Sequence, residues 1–346
     1  MMVRTNRDGS GISVVLALYN GRAHIEEALR TVIDQTVLPG EVIVVDDGST
    51  DGSQEVVEGI ETPFPVKVVR QANTGQSAAR NVGVGLANGE FIAFLDQDDQ
   101  WRPGHLDALL KAISKSRDIA WAYTDFDEMD AEGRIVTHCF ILESGIVQPK
   151  RSLTSCLAGD LMVIPSASLL RKTALDHVGG FDERLSGYED DDLFIRIFRA
   201  GWKHVFVPKA LTRFRVHGAS SSSGWKFLDS RMIYLEKLVE TISDDDRLNR
   251  YWVRDLVLPR FFVATLDDYS RALSRSNWEQ ATQAAAAAER LAGMMQPRFR
   301  RQIEVRLMGR PRLCRRALQV LDVVPPRAQR LVNPTLRLRK HSRYAD

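Results

Sequence analysis

Residues 90–101, EFIAFLDQDDQW, join a short apolar run to an acidic turn. The run, Phe91 to Leu95, has the length and composition of a buried strand. Three carboxylates, Asp96, Asp98 and Asp99, stand at its exit. Acids this close repel one another unless a cation or a hydrogen-bonding ligand sits among them. Mg²⁺ and Mn²⁺ take oxygen ligands, commonly one or two carboxylates completed by substrate phosphates. The D-x-D-D turn therefore suits a divalent metal held against a diphosphate. An acidic turn capping the next helix accounts for the same residues, so the neighbouring segments must decide.

Upstream, residues 12–18 (ISVVLAL) are continuously apolar and rich in β-branched side chains, as in a buried parallel strand. Tyr19-Asn20-Gly21 breaks the run. Ile25, Ala28, Leu29, Val32 and Ile33 then follow at helical spacing. A second strand over 41–45 ends in Asp46-Asp47-Gly48-Ser49. A helix over 54–60, a strand over 65–69 and a small-residue helix over 76–87 come next. This alternation predicts a parallel α/β sheet with ligands at the carboxyl ends of its strands. Polar clusters stand at four successive exits: Tyr19-Asn20, Asp46-Asp47, Asn73-Thr74-Gly75 and Asp96 to Asp99. Four are hard to ascribe to turn chemistry alone. Arg80 lies in the first two turns of the small-residue helix, whose N-terminus favours anions, and can reach a phosphate from there. A tightly packed helix with a surface arginine is the plain alternative. Neither GxxxxGK[ST] nor a GxGxxG after a strand is present, so an ATPase loop and a dinucleotide fingerprint are unsupported.

Downstream, 105–113 reads as an amphipathic helix and 119–124 as a strand followed by the acidic DFDEMD. Residues 131–155 read as loop with weak strands around 135–142, 162–170 as part strand and part loop, and 173–177 as a short helix. Glu189-Asp190-Asp191-Asp192 then open an apolar helix over 193–200. Acids in a first turn suit the helix dipole, at ~0.3–1 kcal/mol each. Four in a row repel each other and exceed what capping needs. A carboxylate crowded in this way has a raised pKa and can serve as a general base. A strand over 202–208 precedes Phe214-Arg215-Val216-His217 and the segment GASSSSG. A lone histidine is more often structural than a ligand, but this one adjoins a Gly/Ser segment of the kind that makes a lid. From Trp225 onward the pattern is helical, over 226–242, 251–273 and 278–291, with a basic stretch to Val324.

The 346 residues, 44% hydrophobic and 27% charged, describe a globular protein of two domains or of one large α/β domain with an appendage. Cys139, Cys156 and Cys314 are odd in number and widely spaced. That argues against a cysteine metal site and a disulfide framework, and for a reducing compartment. The polar N-terminus carries no secretory signal. No run approaches the ~18 apolar residues of a membrane span. A cytoplasmic location is expected. The net charge of +2 hides an asymmetry: Arg290 to Asp346 hold 15 Lys+Arg against three acids, a net +12, and the rest carries −10.

In order and spacing, SVVLALYNG, VIVVDDGSTDGS, NTGQSAARNVGV, FIAFLDQDD, VGGFDERL, YEDDDLFIRI and FRVHGASSS resemble the family 2 glycosyltransferases over roughly residues 11–220. The resemblance implies the GT-A (nucleotide-diphospho-sugar transferase) fold, an α/β fold with a mostly parallel central sheet flanked by helices. That domain would span 11–224, after a flexible 1–10 and before a helical C-terminal extension over 225–346 with its basic tail. The implied activity is inverting, metal-dependent transfer of a sugar from a nucleoside-diphosphate donor, UDP by family frequency. The acceptor would be a hydroxyl of a glycan or lipid-linked glycan in cell-surface polysaccharide synthesis.

Site roles follow by motif. Ala17 (where the family often has proline) to Tyr19 would line the nucleobase, and Asp46 or Asp47 would bind base and ribose. Asn73, Gly75 and Arg80 would border the nucleotide and its phosphates. Asp96 would approach the ribose or the metal's water shell. Asp98 would ligate Mn²⁺ or Mg²⁺ directly, with His217 as a further metal or diphosphate contact. Asp190 is the first choice for catalytic base, Glu189 the second and Asp191 the third, with Arg196 at the family's matching arginine. Ser166 to Ser168 and Gly180-Phe181-Asp182 would lie near the sugars.

Two other readings compete. A sugar nucleotidylyltransferase also uses carboxylates and Mg²⁺, but would want a Gly-rich N-terminal triphosphate loop, which Tyr19-Asn20-Gly21-Arg22 fits poorly. A non-catalytic nucleotide-sugar-binding protein would not need intact acids at both sites. The basic tail is read foremost as peripheral contact with anionic lipid on the inner face of the cell membrane. A partner or oligomer contact and a solvated helical face are the alternatives. Nucleic-acid binding is not expected, because the tail lacks interleaved aromatics and a known module.

Overall fold

The computed structural model describes residues 9–216, 226–245, 247 and 251–295. His217, the Gly/Ser segment after it and the basic tail beyond Met295 lie outside the described residues. The chain divides into two compact units: Met1–Pro149 with Met162–Ser220, and Lys150–Leu161 with Ser221–Asp346.

The first unit opens with β1 (Ile12–Leu18), α1 (Ile25–Ile33), β2 (Glu41–Asp46), α2 (Ser53–Glu58), β3 (Val66–Arg70), α3 (Gln76–Leu86) and β4 (Phe91–Phe94). Their strands pair in parallel in the order β3-β2-β1-β4. Ile12, Val14, Leu16 and Leu18 of β1 pack with Ile25, Ala28, Leu29 and Val32 of α1 in one core cluster, each at most 1% exposed. Burying each larger aliphatic side chain there contributes about 1.5–3 kcal/mol. The small residues of α3 serve close approach: a Cβ on Gly83 would stand 2.3 Å from Val15 Cγ1 of β1.

The chain continues through β5 (Gln100–Trp101), α4 (His105–Ile113), β6 (Ile119–Met129), β7 (Ile135–Thr137) and α5 (Phe140–Glu143). It crosses to α6 (Leu153–Leu157) of the second unit and returns with β8 (Ser168–Arg171), α7 (Lys172–Val178), α8 (Glu189–Arg199) and β9 (Lys203–Arg215). Here the sheet turns mixed. Strand β8 runs antiparallel between β4 and β6, β9 lies parallel to β6, and β5 and β7 add antiparallel ribbons. Half of the described pairings are thus antiparallel, and parallel pairing is confined to the first four strands and the β6–β9 pair.

Two local readings change. The expected strand over 119–124 runs on to Met129, so that Asp125 and Asp127 of DFDEMD are strand residues. Residues 140–143, read as weak strand, are helical. One cause covers both. The buried Asp125 carboxylate accepts the backbone N–H groups of Phe126 (2.7 Å), Ile141 (2.8 Å) and Leu142 (3.1 Å), two of them at the start of α5. Asp127 accepts the Cys139 N–H at 3.0 Å and pairs with Arg102. Buried acids anchor the helix instead of ending the strand.

The second unit holds α6, α9 (Lys226–Thr241), a π-helical turn over Val253–Val257 that leads into α10 (Leu258–Ser274), and α11 (Trp278–Met294). Leu235, Leu238, Phe261 and Leu291 are buried. The buried Arg231 donates to Asp268 at 2.6 Å and Thr265 at 3.1 Å. Among the described residues no helix is long and apolar enough to cross a membrane.

Candidate active site

The carboxyl ends of β1, β2 and β4 and the N-termini of α3 and α8 place most of the predicted residues. Ala17 is half-buried near the end of β1 and Tyr19 beyond it is 46% exposed. The Gln97 side chain ties this exit to the acidic turn: its Oε1 accepts the Tyr19 N–H at 2.8 Å and its Nε2 donates to Tyr19 O at 3.1 Å. A Cβ on Gly21 would stand 2.5 Å from that Gln97 oxygen.

Asp46 and Asp47 part company. Asp46 is fully buried. Its Oδ1 accepts the Ser49 N–H at 2.9 Å, and its Oδ2 has no hydrogen-bond partner, with Arg70 Nε 3.6 Å from it. Asp47 spends both oxygens on its own protein. Oδ1 accepts the Thr74 N–H and Oδ2 the Gly75 N–H, both at 2.8 Å, and Gln71 adds a third bond. Asp47 thus shapes the Asn73 to Gly75 loop, in which Asn73 is exposed and Gly75 adopts φ +98°. Of the two acids, Asp46 is the one with an oxygen left to meet a ligand.

The acidic turn rests on Ser166. The Ser166 hydroxyl accepts the Asp96 N–H at 2.9 Å and also bonds the Asp99 carboxylate. The Ser166 carbonyl accepts the Trp101 indole N–H at 2.6 Å and the Thr212 hydroxyl at 3.3 Å. His105 stacks on Trp101, with ring centroids 4.6 Å apart, and is fully buried. Asp99 is buried and accepts the Arg215 N–H at 2.9 Å, while its Oδ2 lacks a partner. Burial first, then Asp96 and Asp98, push the Asp99 carboxyl well above the usual range. Asp96 and Asp98 are half-buried and sit outward of it.

Arg80 does not lie on the surface. It is 3% exposed, with Nη2 2.6 Å from Asp96 Oδ1 and Nη1 3.1 Å from Glu189 Oε1. Burial opposes its charge, but Asp96 and Glu189 more than offset this and raise its pKa. Phe181 lies under the guanidinium, 5.4 Å from ring centroid to Cζ. Arg80 thus joins the two acidic clusters that the sequence spaces far apart. Its contacts are carboxylates, where the motif implied phosphates.

Within the second cluster the acids divide. Glu189 is held by Arg80 and by Gln76 Nε2. Asp192 pairs with Arg196 at 2.7 Å, and Arg196 also donates to the carbonyls of Val178 and Gly180, both at 2.7 Å. Asp190 makes no ion pair among the described residues, and its Oδ1 accepts the Asp191 N–H at 2.8 Å. Burial, then Glu189 and Asp191, push its carboxyl well above the usual range.

Among the described residues no group of three or more His, Cys, Asp or Glu is placed to hold a metal ion. The donors available at the turn are carboxylate oxygens, the hard ligands that Mg²⁺ and Mn²⁺ accept. Two such carboxylates with substrate phosphates make a usual complement for these ions, so the residues fit the group. Reading the sequence missed Gln76 and Gln97, whose partners lie 113 and 78 residues away. Nothing local marks either glutamine.

The chain is similar to known glycosyltransferases. An uncharacterised glycosyltransferase of Nostoc is 30% identical over 218 residues, 61% of this chain, and the match spans 66% of the length of that relative. A putative teichuronic acid biosynthesis glycosyltransferase of Bacillus subtilis is 35% identical over 219 residues, 62% of this chain and 83% of the relative. Among solved structures, residues 1–349 of Staphylococcus aureus TarS in complex with UDP-GlcNAc superpose with a TM-score of 0.61 at 20% identity, over 82% of this chain and 83% of that one. The sheet with its helices has the GT-A architecture of such enzymes. The family model described as Glycosyl transferase family 2 matches residues 13–179, a span that holds β1 to β4 and the acidic turn, and the chain belongs to that family and is a glycosyltransferase.

Proposed function

We propose that the protein transfers a sugar with inversion from a nucleoside-diphosphate donor to a hydroxyl of a glycan or lipid-linked glycan acceptor. The observation that carries this is the state of Asp190. It is the acid of its cluster with a strongly raised pKa and no ion pair among the described residues, beside Glu189 and Asp192, which are bound to arginines. Asp190 takes the proton of the acceptor hydroxyl, and that oxygen attacks the anomeric carbon from the face opposite the leaving diphosphate. No covalent sugar–protein bond is needed. Asp98 with Asp96 would hold Mn²⁺ or Mg²⁺, with His217, outside the described residues, as a further ligand. The bound ion supplies charge neutralisation for the departing diphosphate.

At the donor end, the buried Asp46 oxygen that lacks a hydrogen bond suits the role of binding base or ribose, with Ala17 and Tyr19 at the neighbouring strand exit. UDP is the favoured nucleotide, in keeping with the UDP-GlcNAc named for the TarS structure. The teichuronic acid relative supports an acceptor from cell-surface polysaccharide synthesis. In this reading the basic tail brings the protein to anionic lipid at the inner face of the membrane, where such acceptors are built.

A screen of UDP-, GDP- and dTDP-sugars, followed by release of nucleoside diphosphate with Mn²⁺, Mg²⁺ or chelator, tests this. Pyrophosphate release in place of diphosphate release sinks it. Asp190→Asn lowers turnover by about 10²–10⁴-fold with donor affinity kept. Unchanged turnover in that variant refutes the assignment of the base.

A further inference from the structure

Glu189 and Asp190 are adjacent, yet their surroundings differ in kind. Glu189 is 6% exposed, and one of its oxygens, Oε1, accepts from both Arg80 Nη1 and Gln76 Nε2. A general base must reach the proton that it removes. Glu189 would have to leave a buried cation to do so, and taking a proton where it stands would strip Arg80 of a counter-charge. Arg80 would then keep only Asp96 as a paired carboxylate.

The donors to Glu189 come from one face of α3. Gln76 and Arg80 are four residues apart and so lie one above the other on that helix. Two neighbours continue the same grip: Ser77 Oγ donates to Leu185 O at 2.8 Å, and Asn81 exchanges hydrogen bonds with the main chain of Phe181, at 2.9 Å to its carbonyl and 2.8 Å from its N–H. Helix α3 therefore gathers the whole segment from Phe181 to Glu189. Through Arg80 Nη2 and Asp96 it also grips the exit of β4. The guanidinium is planar and its two ends are fixed, so it acts as a spacer of set length between the turn beside the diphosphate and the first turn of α8.

We propose that Glu189 is a positioning residue and not an alternative base: with Gln76 and Arg80 it forms a buried bridge that holds Asp190 at a fixed distance from the Asp96 turn. This rests on the reading of Asp190 as base. The charged groups facing Asp190 are Glu189 and Asp191 on its own helix and Arg80 on α3, with Asp96 beyond Arg80.

The test compares pH profiles of kcat/KM for the full chain, with the donor that turns over fastest in the nucleotide-sugar screen. Glu189→Gln keeps an acceptor oxygen for Gln76 and Arg80 but removes one negative charge beside Asp190. Its turnover should stay within about tenfold of the parent, while Asp190→Asn loses about 10²–10⁴-fold. Its acidic limb should move to lower pH by about half a unit or more, because a like charge has gone. Gln76→Leu breaks the bridge and leaves the charges alone: kcat should fall about three- to tenfold, with donor KM and the acidic limb in place. Carboxyl ¹³C titration of Asp190 reads the same shift in Glu189→Gln without any turnover. A folded Glu189→Gln protein as inactive as Asp190→Asn, an unmoved Asp190 titration, or an unchanged kcat in Gln76→Leu overturns the proposal. Full turnover in Asp190→Asn overturns the base assignment and the proposal with it, whereas the three outcomes above overturn the proposal and leave the base assignment standing.

Discussion

The two acidic clusters look alike as text and are supported in opposite ways. Asp96 to Asp99 rest on neutral groups, the Ser166 hydroxyl, the Trp101 indole below it, the Thr212 hydroxyl and the main-chain N–H of Arg215, with one ion pair, Asp96 to Arg80 at 2.6 Å. Even the Arg215 guanidinium addresses main chain there, at Asp98 O. Glu189 to Asp192 are held by cations, Arg80 on one side and Arg196 on the other. On this floor the buried Asp99 carboxyl is pushed well above the usual range, while Asp96 turns outward to Arg80. Cationic support cancels two acids of the second cluster and singles out Asp190. The same residue type can serve different chemistry according to what lies beneath it.

Arg80 is where the two regimes meet, so its loss should blur the comparison most. In Arg80→Met, Asp96 and Glu189 both lose their buried partner. Breaking such a pair costs about 3–5 kcal/mol. The variant should unfold at a markedly lower urea midpoint, and its remaining folded fraction should turn over slowly even with saturating donor. A midpoint within the error of the parent would show that the bridge carries no weight.

Asp47→Ala probes a third acid, one consumed by structure. It removes two charge-assisted bonds to main-chain N–H groups of an exposed loop, each worth at most about 1.5–3 kcal/mol and less where water replaces it. Donor KM should rise severalfold by loosening Asn73 to Gly75, with kcat little changed. A fall in kcat alone would move Asp47 to the reacting end of the site.

How much of this was legible beforehand depends on the range of the interaction. Strands β1, β2 and β4 declared themselves through unbroken apolar runs, and α4 through its 3.6-residue period, matched at both ends. The ring of polar strand exits followed from parallel α/β logic alone. Strand β8 did not, because four residues after Pro165 carry no record of an antiparallel place between β4 and β6. Asp125 and Asp127 read as lying beyond the strand because acids rarely enter one, and their compensation lies in N–H groups at the start of a helix more than ten residues on. Arg80 was legible as a cation near the site. That it spends its charge on carboxylates 16 and 109 residues away was not.

A last test addresses the neutral side of the comparison, through His105. Its ring is fully buried, stacks on Trp101 and meets the Thr212 hydroxyl at 3.4 Å, so it lies under the support of the acidic turn. Burial pushes its pKa from 6.5 down to about 3. The folded state therefore binds fewer protons than the unfolded chain between these values. The stability that this contributes is complete above pH 6.5 and is lost as pH falls toward 3. From pH 7 to pH 5 the loss amounts to about 2 kcal/mol. His105→Phe keeps an aromatic ring against Trp101 and cannot titrate. From pH 7 through 6 to 5 the urea midpoint of the parent should fall relative to that of the variant, since the carboxylates contribute the same pH dependence to both. Parallel lines across that range would mean that His105 can take up a proton without cost, and that the turn stands on something other than an uncharged floor.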